Sequence, residues 1–341
     1  MIFIPCYHPR IATRSKGLTC RPHLEKSVKT DSEEYFKLIC NNDLNDTWLV
    51  PCGECVGCRL DYAKEWANRC YLESLTKSPN WFVTLTYDDA HLPEKISFKD
   101  DNTCFIVNSL EKEVVSSFVK RLRSYFDYHG VDCDLSYYYC GEYGSQYGRP
   151  HYHVLLFGVP FDDLKVHCVK DGFVTYNSEL LNSLWRNGFV TVNEFAYETA
   201  SYVARYMLKK QKGFDSIVYN ELDIVPEFVN MSRNPGIGYN FYVNNRDDIF
   251  EKGYISVKNS KGIQHERIPR YFERLLEKED PERFLKMKKE RQLKFYDEYQ
   301  NRLAAKDSVL SNYNQRLIDE NTKLSQIKAL RRQFESKYNC L

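Results

Sequence analysis

The sequence predicts an α+β fold, an antiparallel sheet backed by helices, with a cysteine-rich module before it and a charged helical tail after it. Three observations lead there. Arg149-Pro150-His151-Tyr152-His153-Val154-Leu155-Leu156-Phe157-Gly158 is an apolar, β-branched and aromatic run bounded by Pro150 and Gly158, which reads as a buried strand. Val114, Val115, Phe118, Leu122 and Phe126 recur at helical spacing and predict a helix over 111–128. Taken along the chain, such segments follow the order β-α-β-β-α-β-α, which suits a ferredoxin-like antiparallel sheet.

Each element has its own signal. Residues 1–60 read as an irregular module closed by a cysteine knuckle. Ala63, Trp66, Cys70 and Leu72 then mark a helix from Leu60 to about Leu75, leading into a core strand from Trp81 to Tyr87. After the 111–128 helix, Tyr137-Tyr138-Tyr139 form a strand antiparallel to the one at His151. A helix near Ser178 to Trp185, a strand near Phe189 to Val192 and a helix from about Tyr197 complete a core placed at 61–260. Over 265–341 the composition turns polar and strongly charged. There Leu303, Leu310, Leu317 and Leu324 are seven apart, with Tyr313, Ile327 and Phe334 at companion positions. That is a heptad seam, interrupted by Lys306, Glu320 and Arg331, so a weak coiled coil and a helix laid back on the core are both open.

The chemistry-bearing residues fall in two segments. Alternation along the strand puts His151 and His153 on one face, where two imidazoles can share one ion. The short Gly- and Pro-rich loop between the strands brings Glu142 of Cys140-Gly141-Glu142-Tyr143-Gly144 beside them as a third ligand. In Tyr202-Val203-Ala204-Arg205-Tyr206-Met207-Leu208-Lys209, the tyrosines four apart share a helix face, roughly 6 Å apart along the axis, with Lys209 on the same side. In a chain with 26 Tyr a lone tyrosine pair also fits core packing. The order, the spacing and a third ligand together point instead to phosphotyrosine chemistry beside a metal.

Bulk properties bound the function. With 43% hydrophobic and 15% aromatic residues the chain reads as globular. Its 48 basic and 47 acidic residues exclude a global polycation, so any DNA contact comes from local patches such as Lys120-Arg121-Arg123 or Arg205-Lys209-Lys210-Lys212. No apolar run approaches a membrane span and no secretory signal is present, which predicts a soluble cytoplasmic protein. Of 12 Cys, Cys52, Cys55 and Cys58 form C-x-x-C-x-x-C, a spacing that lets thiolates converge on one ion, with zinc preferred. Cys6 or His8 is the expected fourth donor and Cys70 the helical alternative; three reduced cysteines in a turn is the competing reading.

These motifs together make the chain similar to the HUH-endonuclease replication initiators, most closely those of gokushovirus-type microviruses, small circular single-stranded DNA phages. The resemblance rests on Phe82-Val83-Thr84-Leu85-Thr86-Tyr87, on Gly141-Glu142-Tyr143-Gly144 through His151-Tyr152-His153, and on Tyr202 to Lys209. It extends to Pro5-Cys6-Tyr7-His8-Pro9, to Cys52 through Arg59 and to Ser232-Arg233-Asn234-Pro235-Gly236-Ile237-Gly238, covering roughly the first three quarters; Met207 and Leu208 stand where related sequences often carry Val and Asn. It implies an RRM-like HUH fold and strand-specific nicking of a viral origin in the cytoplasm of a bacterial host. Mg²⁺ or Mn²⁺ would sit on His151, His153 and Glu142, Tyr202 and Tyr206 would be nucleophiles, and Lys209 would stabilise charge. Host helicase and polymerase are the implied partners, with no membrane. Open alternatives are a plasmid initiator or transposase of the same class, a non-catalytic zinc-stabilised nucleic-acid-binding protein, and a metal hydrolase that uses water.

Overall fold

The computed structural model describes residues 6–13, 23–27, 47–98, 104–144, 147–170, 172–205, 217–304 and 320–326. They fall into two compact units, one drawn from Met1–Tyr62 with Arg270–Gln333 and the other from Ala63–Pro269. In the first, β1 (Arg10–Thr13) pairs antiparallel with both β2 (His23–Ser27) and β3 (Thr47–Val50), and α1 (Val56–Ser74) begins.

The second unit is built on β4 (Asn80–Tyr87), β5 (Glu94–Phe98), β6 (Cys104–Asn108), α2 (Val114–Tyr128), β7 (Ser136–Tyr143), β8 (Pro150–Phe157), β9 (Lys165–Lys170) and β10 (Phe173–Asn177). It continues through α3 (Glu179–Trp185), β11 (Gly188–Glu194), α4 (Tyr197–Arg205), α5 (Ile217–Glu221), β12 (Phe228–Met231), α6 (Tyr239–Lys252), β13 (Ile255–Asn259) and β14 (Gly262–Glu266). The first unit resumes with α7 (Arg270–Glu279) and α8 (Pro281–Ala304), joined by an Arg291–Glu273 ion pair. Leu310, Tyr313, Leu317, Ile327 and Phe334 of the heptad pattern lie outside the described residues.

The core is α+β. One seven-stranded sheet runs β12-β7-β8-β4-β11-β10-β9, with every pairing antiparallel. Both faces are covered. Val83, Leu85, Tyr152, Val154, Leu156, Val190 and Val192 meet α2 and α3 through Val115, Phe118, Leu122, Leu181 and Trp185. On the other face Phe82, Tyr138, Cys140, Leu155 and Phe157 meet Ala63, Trp66, Ala67 and Cys70 of α1 and Ala200, Tyr202, Val203 and Ala204 of α4. This explains why β8 reads as a nearly unbroken apolar run: Val154 through Phe157 are all fully buried, each large side chain contributing about 1.5–3 kcal/mol.

Two helix starts differ from the sequence expectation. The first helix opens at Val56, not Leu60, because Arg59 N–H already closes a turn on the Cys55 carbonyl. The helix expected at 111 opens at Val114. Upstream, the backbone N–H groups of Leu110 and Glu111 donate to the hydroxyls of Tyr143 and Tyr152, so those residues are engaged by the sheet. Ser178 does cap α3 as expected, its hydroxyl accepting from Leu181 N–H at 3.0 Å.

Candidate metal and tyrosine site

Strand register assembles the site. On β8, His151 faces Glu142 of β7 and Thr86 of β4, while His153 faces Cys140 and Thr84. Alternation then turns Thr84, Glu142, His151 and His153 to the face that also carries Phe82 and Leu155. Gly141 precedes Glu142 for a steric reason: a Cβ there would lie 3.1 Å from each of Leu110 Cδ2, Phe228 Cε1 and Tyr152 Cε1.

One carboxylate oxygen meets both rings. Glu142 Oε1 lies 2.5 Å from His151 Nε2 and 3.1 Å from His153 Nε2, and the three donor atoms are all within 4.8 Å of one another. Glu142 and His153 are buried, at 3% and 5% exposure, and His151 is half-buried. Burial alone pushes the Glu142 carboxyl up. The His151 charge and hydrogen bonds from His151 and His153 outweigh it and hold the group well below the usual carboxylate range. Two nitrogens and one oxygen in a closed cluster form a donor set that fits a divalent ion of the Mg²⁺ or Mn²⁺ kind, and an ion there would replace the protons that now let the three groups coexist.

Each imidazole is aimed by its other nitrogen. His151 Nδ1 lies 3.1 Å from the Arg149 carbonyl, which can only accept, so Nδ1 carries the proton and Nε2 presents a lone pair. His153 Nδ1 lies 3.0 Å from Thr84 Oγ1, which can play the same accepting role. Phe82 stacks on the His153 ring with centroids 5.2 Å apart. Phe82 and Thr84 were legible only as parts of a sequence motif; what marks them is the shared strand parity with His153 across β4 and β8. Arg149 in turn reaches back to β4, its guanidinium donating to the Tyr87 carbonyl at 2.9 Å and to Asp89.

Tyr202 stands beside this cluster. Its ring packs edge-on to His153, with centroids 5.4 Å apart and planes at 76°, and it is 6% exposed. Tyr206 and Lys209 lie outside the described residues. Among the basic patches, Arg121 donates to the Leu184 carbonyl at 2.7 Å and Arg123 to the Leu135 carbonyl at 3.0 Å, so both tie α2 to its surroundings. Arg205 donates to the Ser201 carbonyl within its own helix, and Lys210 and Lys212 lie outside the described residues.

A second cluster lies in the first unit. The sulfur atoms of Cys6, Cys52, Cys55 and Cys58 are all within 4.8 Å of one another. His8 is exposed and turns to Glu320 at 3.3 Å, and Cys70 is fully buried in the apolar layer beneath the sheet. Hydrogen bonds from Cys58 and Cys6 hold the Cys55 thiol well below the usual range, and the same contact with Cys55 pushes Cys6 and Cys58 up.

Comparison with known proteins agrees with these placements. The family described as replication-associated protein ORF2 matches residues 80–211, which span β4, both site strands and the tyrosine segment. The Replication-associated protein ORF2 of Spiroplasma virus 4 is 34% identical over 322 residues, covering 89% of this chain and 93% of that protein. The Replication-associated protein VP4 of Bdellovibrio phage phiMH2K is 35% identical over 246 residues, 70% of this chain and 71% of the relative. The Replication-associated protein ORF4 of Chlamydia phage 1 is 32% identical over 166 residues, 47% of this chain and 38% of its own length. No solved structure matches. With nearly its whole length aligned to one of these phage proteins at a third identity, the chain belongs to the replication-associated protein family, of the microvirus type that its motifs resemble.

Proposed function

We propose that the protein nicks one strand of the phage origin and later rejoins it, starting and ending rolling-circle replication through a tyrosine–DNA link. The observation that carries this reading is the convergence of Glu142, His151 and His153, with the Tyr202 ring against His153. The order of the four central strands, β7-β8-β4-β11, supports a ferredoxin-like HUH core.

A bound Mg²⁺ or Mn²⁺ would supply Lewis-acid polarisation of the scissile phosphate. His151, His153 and Glu142 hold it. The Arg149 carbonyl, Thr84 and Phe82 fix the two rings so that little reorganisation is needed. The hydroxyl of Tyr202 or Tyr206 attacks phosphorus in line; the P–O3′ bond breaks, the phenolic proton passes to the leaving 3′-oxygen, and a 5′-phosphotyrosine and a free 3′-hydroxyl result. A phenol of pKa about 10 needs help to ionise, and Lys209 supplies positive charge for the phenolate or the phosphorane. Two tyrosines serve two cleavages: the second cuts the regenerated origin while the first still holds the old 5′ end.

The substrate is origin DNA in single-stranded or locally melted form, in the bacterial cytoplasm, with host helicase and polymerase extending the 3′ end. Among the described residues no helix is long and apolar enough to cross a membrane. The test is incubation of the whole protein with Mn²⁺ and origin-strand oligonucleotide, followed by denaturing electrophoresis and peptide mapping. A covalent adduct on Tyr202 or Tyr206, abolished by EDTA, is expected. Cleavage with no adduct would assign the chemistry to water, and no cleavage at all would leave a binding protein.

A further inference from the structure

We infer that Cys6, Cys52, Cys55 and Cys58 bind a zinc ion as a closed tetrathiolate site that holds the first unit together. A tetrahedron with Zn–S bonds of about 2.3 Å has S···S edges of about 3.8 Å. Cys52 Sγ and Cys58 Sγ are 3.9 Å apart, and Cys55 Sγ and Cys6 Sγ are 4.0 Å apart. These are two opposite edges of such a tetrahedron, and disulfide bonding would have brought the sulfurs to about 2.05 Å. All four thiols are free. The spacing is also too tight for thiolates spread around a multi-iron cluster, where each ligates a different metal atom.

The surroundings suit thiolates. Binding displaces four protons and leaves a doubly negative site, which needs donors around it. Cys52 N–H points to Cys6 Sγ at 3.2 Å, Cys55 N–H to Cys52 Sγ at 3.2 Å, Glu54 N–H to Cys52 Sγ at 3.4 Å and Cys58 N–H to Cys55 Sγ at 3.5 Å. Cys55 immediately precedes α1 and Cys58 sits in its first turn, where the helix N-terminus stabilises negative charge. Four protein sulfurs leave no open position, so the ion is structural and takes no substrate.

The need for it is visible in the packing. Around the thiols the buried side chains are Tyr7, Cys55 and Val56, with Cys6, Cys52, Cys58 and Leu60 against them, so four of the seven are cysteines. So small a cluster cannot organise a chain whose ends, Cys6 and Cys52, are 46 positions apart. A metal–thiolate clasp closes that loop directly.

Elemental analysis of the full-length protein, purified under reducing conditions without added metal, tests this. About one zinc per chain is expected, retained in His8→Ala and lost in Cys6→Ser and in Cys58→Ser. Should those variants fail to fold, cobalt exchange into the wild-type chain gives an independent readout: thiolate-to-cobalt charge transfer and tetrahedral ligand-field bands. Removing zinc with a chelator should lower the melting temperature. Metal-free wild-type protein, iron in place of zinc, or undiminished zinc in a folded Cys6→Ser variant would each overturn the assignment. None of these measurements involves DNA, so their outcome leaves the nicking reading to its own test.

Discussion

Phe82 lies almost flat on the ring of His153, with centroids 5.2 Å apart and planes 16° apart, while Tyr202 and His151 meet the same ring edge-on. An imidazole so enclosed has one orientation available to it. Phe82→Leu keeps an apolar side chain but loses the flat contact, so half-saturating Mn²⁺ for cleavage should rise several-fold with the fold retained. Phe82→Ala should in addition cost about 3–5 kcal/mol of stability, read by denaturant titration. An unchanged Mn²⁺ titration in Phe82→Leu would show that the stack does not orient the ligand.

Thr84 acts through His153 and is a positioning residue. Thr84→Val keeps the shape of the side chain and removes the acceptor for Nδ1–H, so metal affinity should fall by about 10–100-fold. Thr84→Ser should restore it. The measurement is a Mn²⁺ titration of nicking at fixed pH; equal behaviour of the Val and Ser variants would assign Thr84 to packing alone.

His151→Ala and His153→Ala should each abolish nicking, because polarisation by the ion is worth several kcal/mol in the transition state. Circular dichroism should show both variants folded, with His153→Ala the less stable since that ring is the more buried. Either variant cutting at the wild-type rate in EDTA would refute the metal assignment.

Glu142→Gln exchanges the carboxylate for a neutral amide of the same size. Cleavage should then demand more Mn²⁺ for half-maximal rate, with the maximum rate approached at high metal. A titration indistinguishable from wild type would remove Glu142 from the ligand set.

For the tyrosine pair, Tyr202→Phe and Tyr206→Phe should each still form some adduct with a single-stranded oligonucleotide, and the double variant none. Each single variant should fail to release closed circles, since termination requires a second nucleophile. The ring volume is unchanged, so a lost adduct reports chemistry. Efficient circle release by Tyr202→Phe would make Tyr202 a packing residue against His153.

Much of this arrangement was legible because strand alternation is rigid. A two-residue period alone put His151 and His153 on one face, and a short connection alone placed Glu142 opposite. The β5–β6 and β9–β10 hairpins were missed. Ile96, Phe98, Val166 and Val169 in them are exposed, so their sequences lack the inward apolar pattern that marks a strand. The starts of α1 and α2 were misplaced for a different reason, since both are set by single hydrogen bonds from the chain outside the helix. The choice between Cys6 and His8 could not be made from spacing, because both follow Pro5 closely and only the folded chain shows which side chain turns inward.

Tyr152 sits between the two histidines in sequence but on the opposite side of the sheet, its hydroxyl near that of Tyr87 and the backbone of Glu111. A single-residue deletion within Pro150–Phe157 would therefore invert the strand: the phenol would arrive where two ligands had been, and two imidazoles would enter an apolar layer. Changes of length in the turn between Gly144 and Arg149 carry no such inversion. Variation among descendants of this gene is thus channelled toward the turn, and the strand that follows it can drift in side-chain size but not in count.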